Sequence, residues 1–456
     1  MPQTAIVVFG STGNLMYKKL LPALYQLLVH EELTNECKIY AIGRRDYNSK
    51  DYIDQAKEQV TEPLDWDFLS PYIEYVKMDV NQSDDYASFS TLLDDHQMDT
   101  RMIYLAVPPK LFPVIAAHLS TSTVVKQGNA NHRVVFEKPF GEDLATAKEI
   151  NQLLWNYLDE EQIYRIDHYL GKEMIQNILV VRFGNRIFEH TWNNKTIRNI
   201  VIMAKETEGV LSRGNYYDTI GALKDMFQSH LLQMLAVTTM SKPKTFDSED
   251  IKDQKITIFN DLKIVKDSIF RGQYKGYTDT EKIDPNSNTE TFVYLEARID
   301  QPKWEGVPIY FVTGKKLDQK RSEIIINFKD DDSLLALYPN AHENQNKLII
   351  KVAPDEGVEF HFNVKQPGLE NYITTAALDY CHSCLALKNS PEAYEKLLLD
   401  LSKQQKTLFT RWDEIEATWT IFDGIKNISE APSIYENYAD LVFQIKREKG
   451  VNIDDL

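Results

Sequence analysis

Ala5–Leu15, AIVVFGSTGNL, is a short apolar run followed directly by two glycines three positions apart. Apolar residues without alternation suit a strand buried on both faces, as in a parallel sheet covered by helices. Against the dinucleotide pattern GxGxxG, Val8 takes the place of the first glycine, while Gly10 and Gly13 keep the other two. An amphipathic helix pattern follows, to about His30. A loop between strand and helix lets the backbone approach a pyrophosphate at a helix N-terminus. Gly10, Ser11, Thr12, Gly13, Asn14 and Leu15 therefore form the candidate cofactor loop.

Outward from that loop the same grammar repeats. The strand Lys38–Ile42 ends in Gly43-Arg44-Arg45. A fold that prefers NAD places a carboxylate at this strand end to hold the ribose hydroxyls. Two guanidiniums suit a 2′-phosphate instead, so the spacing predicts NADP over NAD. Met102–Pro109 is another buried strand, with Pro108 at its stop, where the far end of the cofactor passes. Arg133–Phe136 runs into Glu137-Lys138-Pro139-Phe140-Gly141 and sets Lys138 at the edge where open α/β sheets bind ligands. A helix pattern on Leu144, Ile150, Leu153, Leu154 and Tyr157 follows. This alternation predicts an α/β, Rossmann-like, doubly wound parallel sheet over residues 1–165.

The chain has 456 residues, enough for two or three domains, and 43% hydrophobic residues supply real cores. A net charge of −17 gives no bulk attraction for nucleic acid or an anionic membrane, so neither is an expected partner. Phosphorylated ligands then need locally concentrated Lys and Arg. No apolar run approaches the roughly 18 residues of a spanning helix. Met1–Thr4 lacks the pattern of a signal peptide. Three cysteines are too few for a disulfide framework. The expected location is the cytoplasm.

Residues 166–456 read as a larger α+β domain with a mostly antiparallel sheet, for substrate binding and oligomerisation. Its strands are expected at Ile197–Ala204, Glu290–Ile299, Val307–Thr313, Glu323–Phe328, Asn346–Val352 and Val358–Val364. Helix patterns fall at Thr219–Thr238, Glu392–Leu399 and Asp413–Phe422, and Tyr435–Leu456 reads as a charged helix and tail. Cys381-His-Ser-Cys384 has CxxC spacing, open to redox or metal chemistry. It has no second ligand pair and sits in a helical-looking stretch from Tyr372 to Leu387, so it reads as packing.

The chemistry concentrates in two runs. Gln162–Arg182, QIYRIDHYLGKEMIQNILVVR, holds Arg165, Asp167, His168, Tyr169, Lys172 and Glu173 around one glycine, before a helix pattern. Cations at the start of a helix add to its anion-attracting N–H groups and make a phosphate-sized site. The second run carries Lys205-Glu206, Tyr216-Tyr217-Asp218 and GALKDMFQSHLLQ from Gly221 to Gln233. At 100° per residue His230 falls on the stripe of Leu223, Met226 and Phe227 and points inward. Oxidising an alcohol with a dinucleotide needs a base for the O–H proton, a role suited to neutral histidine oriented by a carboxylate. These residues leave open whether His168 or His230 is that base.

RIDHYLGKE resembles the signature of glucose-6-phosphate dehydrogenases, and the resemblance extends along the chain. The glycine loop, the Arg pair, LAVPP, EKPFG, the GALKDMFQSHLLQ block, PIYFVTGKKL, PEAYE and RWDEIEATW are each similar to family motifs, to about Trp419. Asn14, Met16, Tyr17, Lys224 and Ser229 depart from the usual Asp, Ala, basic residue, Arg and Asn. The resemblance implies His230 as general base and Asp167 as the carboxylate that orients it. It implies that His168, Tyr169, Lys172 and Lys320 hold the sugar phosphate, and that Glu206 and Asp225 accept sugar hydroxyls. Lys138 would donate to the reacting end, and Lys315 would reach the sugar. The implied reaction is NADP-dependent oxidation of glucose 6-phosphate by a homodimer or homotetramer, with no metal. A dehydrogenase of another hexose 6-phosphate and a non-catalytic NADP(H)-binding regulator are the alternatives.

Overall fold

The computed structural model describes residues 3–33, 36–211, 214–330, 337, 338, 340, 346–385, 393–426 and 430–456. They divide into two compact units. The first holds Met1–Gly171, Thr245–Lys252 and Pro391–Glu416, and the second holds Lys172–Lys244, Asp253–Ser390 and Ala417–Leu456. Where the sequence places one boundary at 165/166, the first break in space falls at Gly171, and two later segments belong to the first unit.

The first unit is built on β1 (Thr4–Phe9), β2 (Cys37–Gly43), β3 (Ile73–Lys77), β4 (Thr100–Leu105), β5 (His132–Phe136) and β6 (Ile163–Ile166). These pair in parallel in the order β6-β5-β4-β1-β2-β3, and the short strand Phe409–Thr410 adds antiparallel to β6. Strand order reverses between β1 and β4, where a doubly wound sheet opens its ligand crevice. One core cluster gathers Val7, Phe9, Ile103, Leu105 and Val134 from the strands with Phe89, Ile115, Leu119 and Leu154 from the helices. The expected parallel sheet is present.

The second unit is built on β7 (Ile197–Lys205), β8 (Leu262–Tyr274), β9 (Phe292–Ile299), β10 (Ile309–Gly314), β11 (Arg321–Phe328), β12 (Lys347–Ala353), β13 (Gly357–Lys365) and β14 (Ile373–Cys381). Their order is β14-β13-β12-β11-β7-β10-β9-β8, with Ser433–Tyr435 outside β8. Pairing is antiparallel except between β7 and β10 and between β8 and Ser433–Tyr435. The sheet is thus mostly antiparallel, as expected.

Two strands differ from the sequence reading. β8 opens on a charged half whose register shifts between Val265 and Phe270, so it lacks an apolar alternation. The helix expected over Tyr372–Leu387 is instead β14 and a short helix, His382–Leu385; positions 386 and 387 lie outside the described residues. β14 pairs with β13 along its full length, and that pairing overrides the helix preference of Ala376-Ala377-Leu378. Among the described residues no helix is long and apolar enough to cross a membrane.

Candidate active site

In the first unit the site begins at the β1 turn. Gly10 has φ +79°, and a Cβ there would stand 2.2 Å from the Ala106 carbonyl oxygen, just past β4. Only glycine lets the turn close against that backbone. The Ser11 hydroxyl donates to the Ile42 carbonyl at 2.9 Å, and Tyr52 donates to the Ser11 carbonyl at 3.0 Å. The Gly13 N–H closes the turn on the Gly10 carbonyl at 3.0 Å. Thr12 and Leu15 are half-buried, and Gly13 and Asn14 are exposed.

Arg44 and Arg45 are exposed just past the end of β2, and Pro108 is exposed after β4. Arg45 donates to the Tyr47 hydroxyl at 3.0 Å, and its carbonyl accepts from Tyr75 at 2.9 Å. Lys138 is half-buried beyond β5. Every expected cofactor residue therefore lies at the C-terminal edge of this sheet. A turn closed to any Cβ and two exposed guanidiniums fit a dinucleotide with a 2′-phosphate. Tyr17 packs with Tyr52, ring centroids 6.3 Å apart, and its buried hydroxyl has no hydrogen-bond partner among the described residues. Burial pushes its pKa up, and the Arg45 charge opposes that.

Asp167 is buried at the end of β6, where its Oδ1 accepts from the Tyr169 N–H at 2.9 Å. The Leu170 N–H donates to its carbonyl at 3.0 Å, so the chain turns tightly and carries His168 and Tyr169 half-exposed. Their rings meet edge-on at 5.1 Å. Gly171 ends the turn, because a Cβ there would stand 2.8 Å from the Ala393 carbonyl oxygen. Sequence reasoning missed the group beneath Asp167. The Glu137 carboxylate accepts from Tyr104 and from Tyr394 at 3.3 Å; burial pushes its pKa up and the Asp167 charge adds to that. Tyr394 of the PEAYE motif thus supplies a partner to the EKPFG acid.

In the second unit Lys172 is the N-cap of the helix Glu173–Gly184 and gives it no side-chain cap. Glu206 follows β7, and its carboxylate pairs with the Lys315 ammonium. That ammonium lies 5.1 Å over the Tyr217 ring. Tyr217 is raised first by burial and then by the Asp225 charge, so Glu206, Asp225 and Lys315 gather round it. No function was read into Tyr217 from sequence, although the Tyr216-Tyr217 pair marked its block. Lys320 is exposed between β10 and β11 and has no such neighbour among the described residues.

His230 is 2% exposed on Leu223–Leu231, which is a π-helix. Its buried residues are Leu223, Phe227, Gln228, His230 and Leu231, while Met226 is only half-buried. The expected burial of His230 holds, but a wider winding produces it, of the kind often found at functional sites. Glu290 fixes the start of this helix by accepting from the Leu223 N–H at 3.0 Å while paired with Arg271 at 2.9 Å.

The α-helix Leu232–Thr239 continues it, and its final carbonyls are closed by side chains. Arg182 donates to Val237 at 2.7 Å and to Met240 at 2.6 Å. Trp192 donates to Thr238 at 2.7 Å, and Trp304 to Thr239 at 3.1 Å. These are the groups a helix end leaves unsatisfied. Ser229, at a family asparagine position, buries a hydroxyl with no partner among the described residues.

The cysteine expectation is corrected. Cys381 and Cys384 are disulfide-bonded across a Cα separation of 5.2 Å, and Cys384 is exposed rather than packed. Cys37 is free and buried.

A glycine turn at the switch point, with two guanidiniums directly past β2, defines the class: an NADP-dependent oxidoreductase. Two family models match, "Glucose-6-phosphate dehydrogenase, NAD binding domain" over residues 7–177 and "Glucose-6-phosphate dehydrogenase, C-terminal domain" over residues 179–442. The glucose-6-phosphate 1-dehydrogenase of Bacillus subtilis is 38% identical over 447 residues, 93% of this chain and 91% of that one. That of Borreliella burgdorferi is 38% identical over 442 residues, 92% and 91% of the two chains. A solved glucose-6-phosphate dehydrogenase in complex with glucose 6-phosphate superposes with a TM-score of 0.90 at 30% identity, covering 98% of each chain. The Mycobacterium avium enzyme gives 0.86 at 31% identity over 95% and 94%. The chain belongs to the glucose-6-phosphate dehydrogenase family. It is an enzyme that oxidises glucose 6-phosphate with NADP, and the family match runs past Trp419, where the sequence motifs fade.

Proposed function

We propose that His230 removes the proton of the anomeric hydroxyl of D-glucose 6-phosphate, with Asp167 orienting the imidazole, so that 6-phospho-D-glucono-1,5-lactone is formed. NADP, when bound, supplies the hydride acceptor. The observation that carries this reading is a histidine buried on a helix fixed at both ends, by Glu290 and by Arg182, Trp192 and Trp304. A base held so firmly needs little reorganisation when it acts. Asp167, itself fixed by the Tyr169 N–H, favours the imidazolium that forms.

The other roles follow from chemistry and position. Gly10, Ser11, Thr12, Gly13, Asn14 and Leu15 carry the pyrophosphate. Arg44 and Arg45 hold the 2′-phosphate, and Pro108 borders the cofactor. Lys138 serves both the cofactor and the reacting end of the sugar. His168, Tyr169, Lys172 and Lys320 hold the sugar phosphate. Glu206 and Asp225 accept sugar hydroxyls, and Lys315 donates to the sugar. The first unit is then the cofactor unit, and the second the substrate and assembly unit. The protein acts in the cytoplasm, which cell fractionation tests, as a homodimer or homotetramer. The edge strand β14, which exposes Leu378 (63%) and Tyr380 (42%), supports that assembly.

NADPH formation followed by absorbance over a panel of hexose 6-phosphates tests the substrate. His230→Asn should lower kcat by about 10²–10⁴-fold with KM for glucose 6-phosphate little changed. A variant as active as the wild type removes His230 from the mechanism.

A further inference from the structure

The cysteine pair lies in the same unit as Lys172, which is assigned to the sugar phosphate. Cys381 closes β14 opposite Gly357, and the Cys384 N–H donates to the Cys381 sulfur at 3.1 Å. Between the cysteines, the His382 N–H donates to the Glu356 carbonyl at 2.8 Å. Its ring Nε2 meets the Glu173 carboxylate at 3.0 Å, and its Nδ1 meets the Tyr380 hydroxyl at 3.1 Å. Glu173 is the first residue of the helix that begins directly after Lys172. The Glu356 carboxyl lies within electrostatic reach of Lys172, Glu173 and His382 together; burial raises its pKa, and the Lys172 charge leads the opposition. Hydrogen bonds from His382 to Glu173 and Glu356, and the charge interaction of Glu356 with Lys172, therefore link the disulfide to Lys172.

We propose that Cys381–Cys384 is a reversible redox site, and that its reduction loosens the His382–Glu173 contact and weakens the grip of Lys172 on the sugar phosphate. This rests on the reading of Lys172 as a phosphate ligand. A closed CxxC ring spans four residues, so it holds His382 in one place; once opened, the segment regains backbone freedom. Exposure of Cys384 admits an attacking thiolate. In a cytoplasmic protein a disulfide is usually transient and redox-sensing rather than structural. The exchange balances as two electrons and two protons. A dithiol reductant attacks one sulfur, the Cys381–Cys384 S–S bond breaks, two thiols form here, and the reductant closes its own disulfide. Cys37 is the internal control, since burial pushes its thiol up to about 11 and keeps it unreactive.

The test equilibrates the full-length protein across buffers of reduced and oxidised dithiothreitol. Alkylation and mass shift count the thiols, and KM for glucose 6-phosphate is measured at each point. Two thiols should appear in one step, with KM rising roughly fivefold or more, the scale of a typical coupling between sites, while kcat changes less. Reoxidation of the same sample should restore the low KM. A Cys381→Ser/Cys384→Ser double variant should keep the high KM in every buffer, and His382→Gln should raise KM in the oxidised protein. A KM that is flat across the series overturns the proposal, as does a change that persists in the double serine variant. Lys172→Ala is judged separately. If it leaves KM unchanged, the phosphate reading fails and takes the proposed route from disulfide to substrate with it. If it raises KM while redox state has no effect, the phosphate reading stands and the switch falls.

Discussion

Arg165 shares a run with Asp167 and His168, yet its charge is used for packing. It is 2% exposed, its guanidinium stands 2.6 Å from Glu160, and it lies 4.9 Å over Phe140. Sequence cannot sort that arginine from the site residues beside it, because both kinds are charged and close together; burial against aromatic partners separates them. His132 shows a second hidden role. Its Nδ1 accepts from the Lys126 N–H at 2.9 Å, which requires a neutral ring, and burial first, then the Arg101 charge, lowers its pKa to about 4. The unfolded value is about 6.5, so between these limits the unfolded chain binds more protons and stability falls as pH drops. The melting temperature should therefore decline from about pH 6.5 towards 4. In His132→Asn, which keeps an acceptor without a titrating ring, that decline should be shallower; equal slopes would assign the loss to other groups.

The β1 strand and its turn were legible, since the glycine spacing reports a local backbone need, whereas the π-winding of Met16–Leu20 that follows was not. Gly10→Ala tests this, because the added methyl meets the Ala106 carbonyl at 2.2 Å. Calorimetric titration should show NADP affinity falling by more than about tenfold, the equivalent of 1.4 kcal/mol. Unchanged affinity would mean that the turn tolerates displacement. β14 and the π-helix were less legible, because their conformations are set by partners distant in sequence. β14 takes its form from β13, and the winding that carries His230 is fixed where the Leu223 N–H meets Glu290, 67 positions downstream. Local propensity carries no record of such partners.

At the scale of the whole chain, the two sheet classes were readable from most of their strands, continuous apolar runs in one and frequent alternation in the other, with β8 and β14 the exceptions. The mixed membership of the first unit was not, because a sequence pattern does not say which later segment returns to an earlier sheet. Assembly through the second unit is the property to measure. Sedimentation equilibrium should give two or four copies of a 52.8 kDa chain, and Leu378→Glu with Tyr380→Glu should lower that number. A monomeric wild type would dismiss the assembly reading.

The segment that returns also sets an order of events during synthesis. The first unit draws Phe409–Thr410 onto the edge of β6 and Trp412 against its core. A ribosome that has released only residues 1–171 has therefore made a sheet with an unpaired edge and an apolar site still waiting for Trp412. Completion of the first unit waits until β7–β14 have been made, so nascent chains carry that open edge throughout the synthesis of those strands.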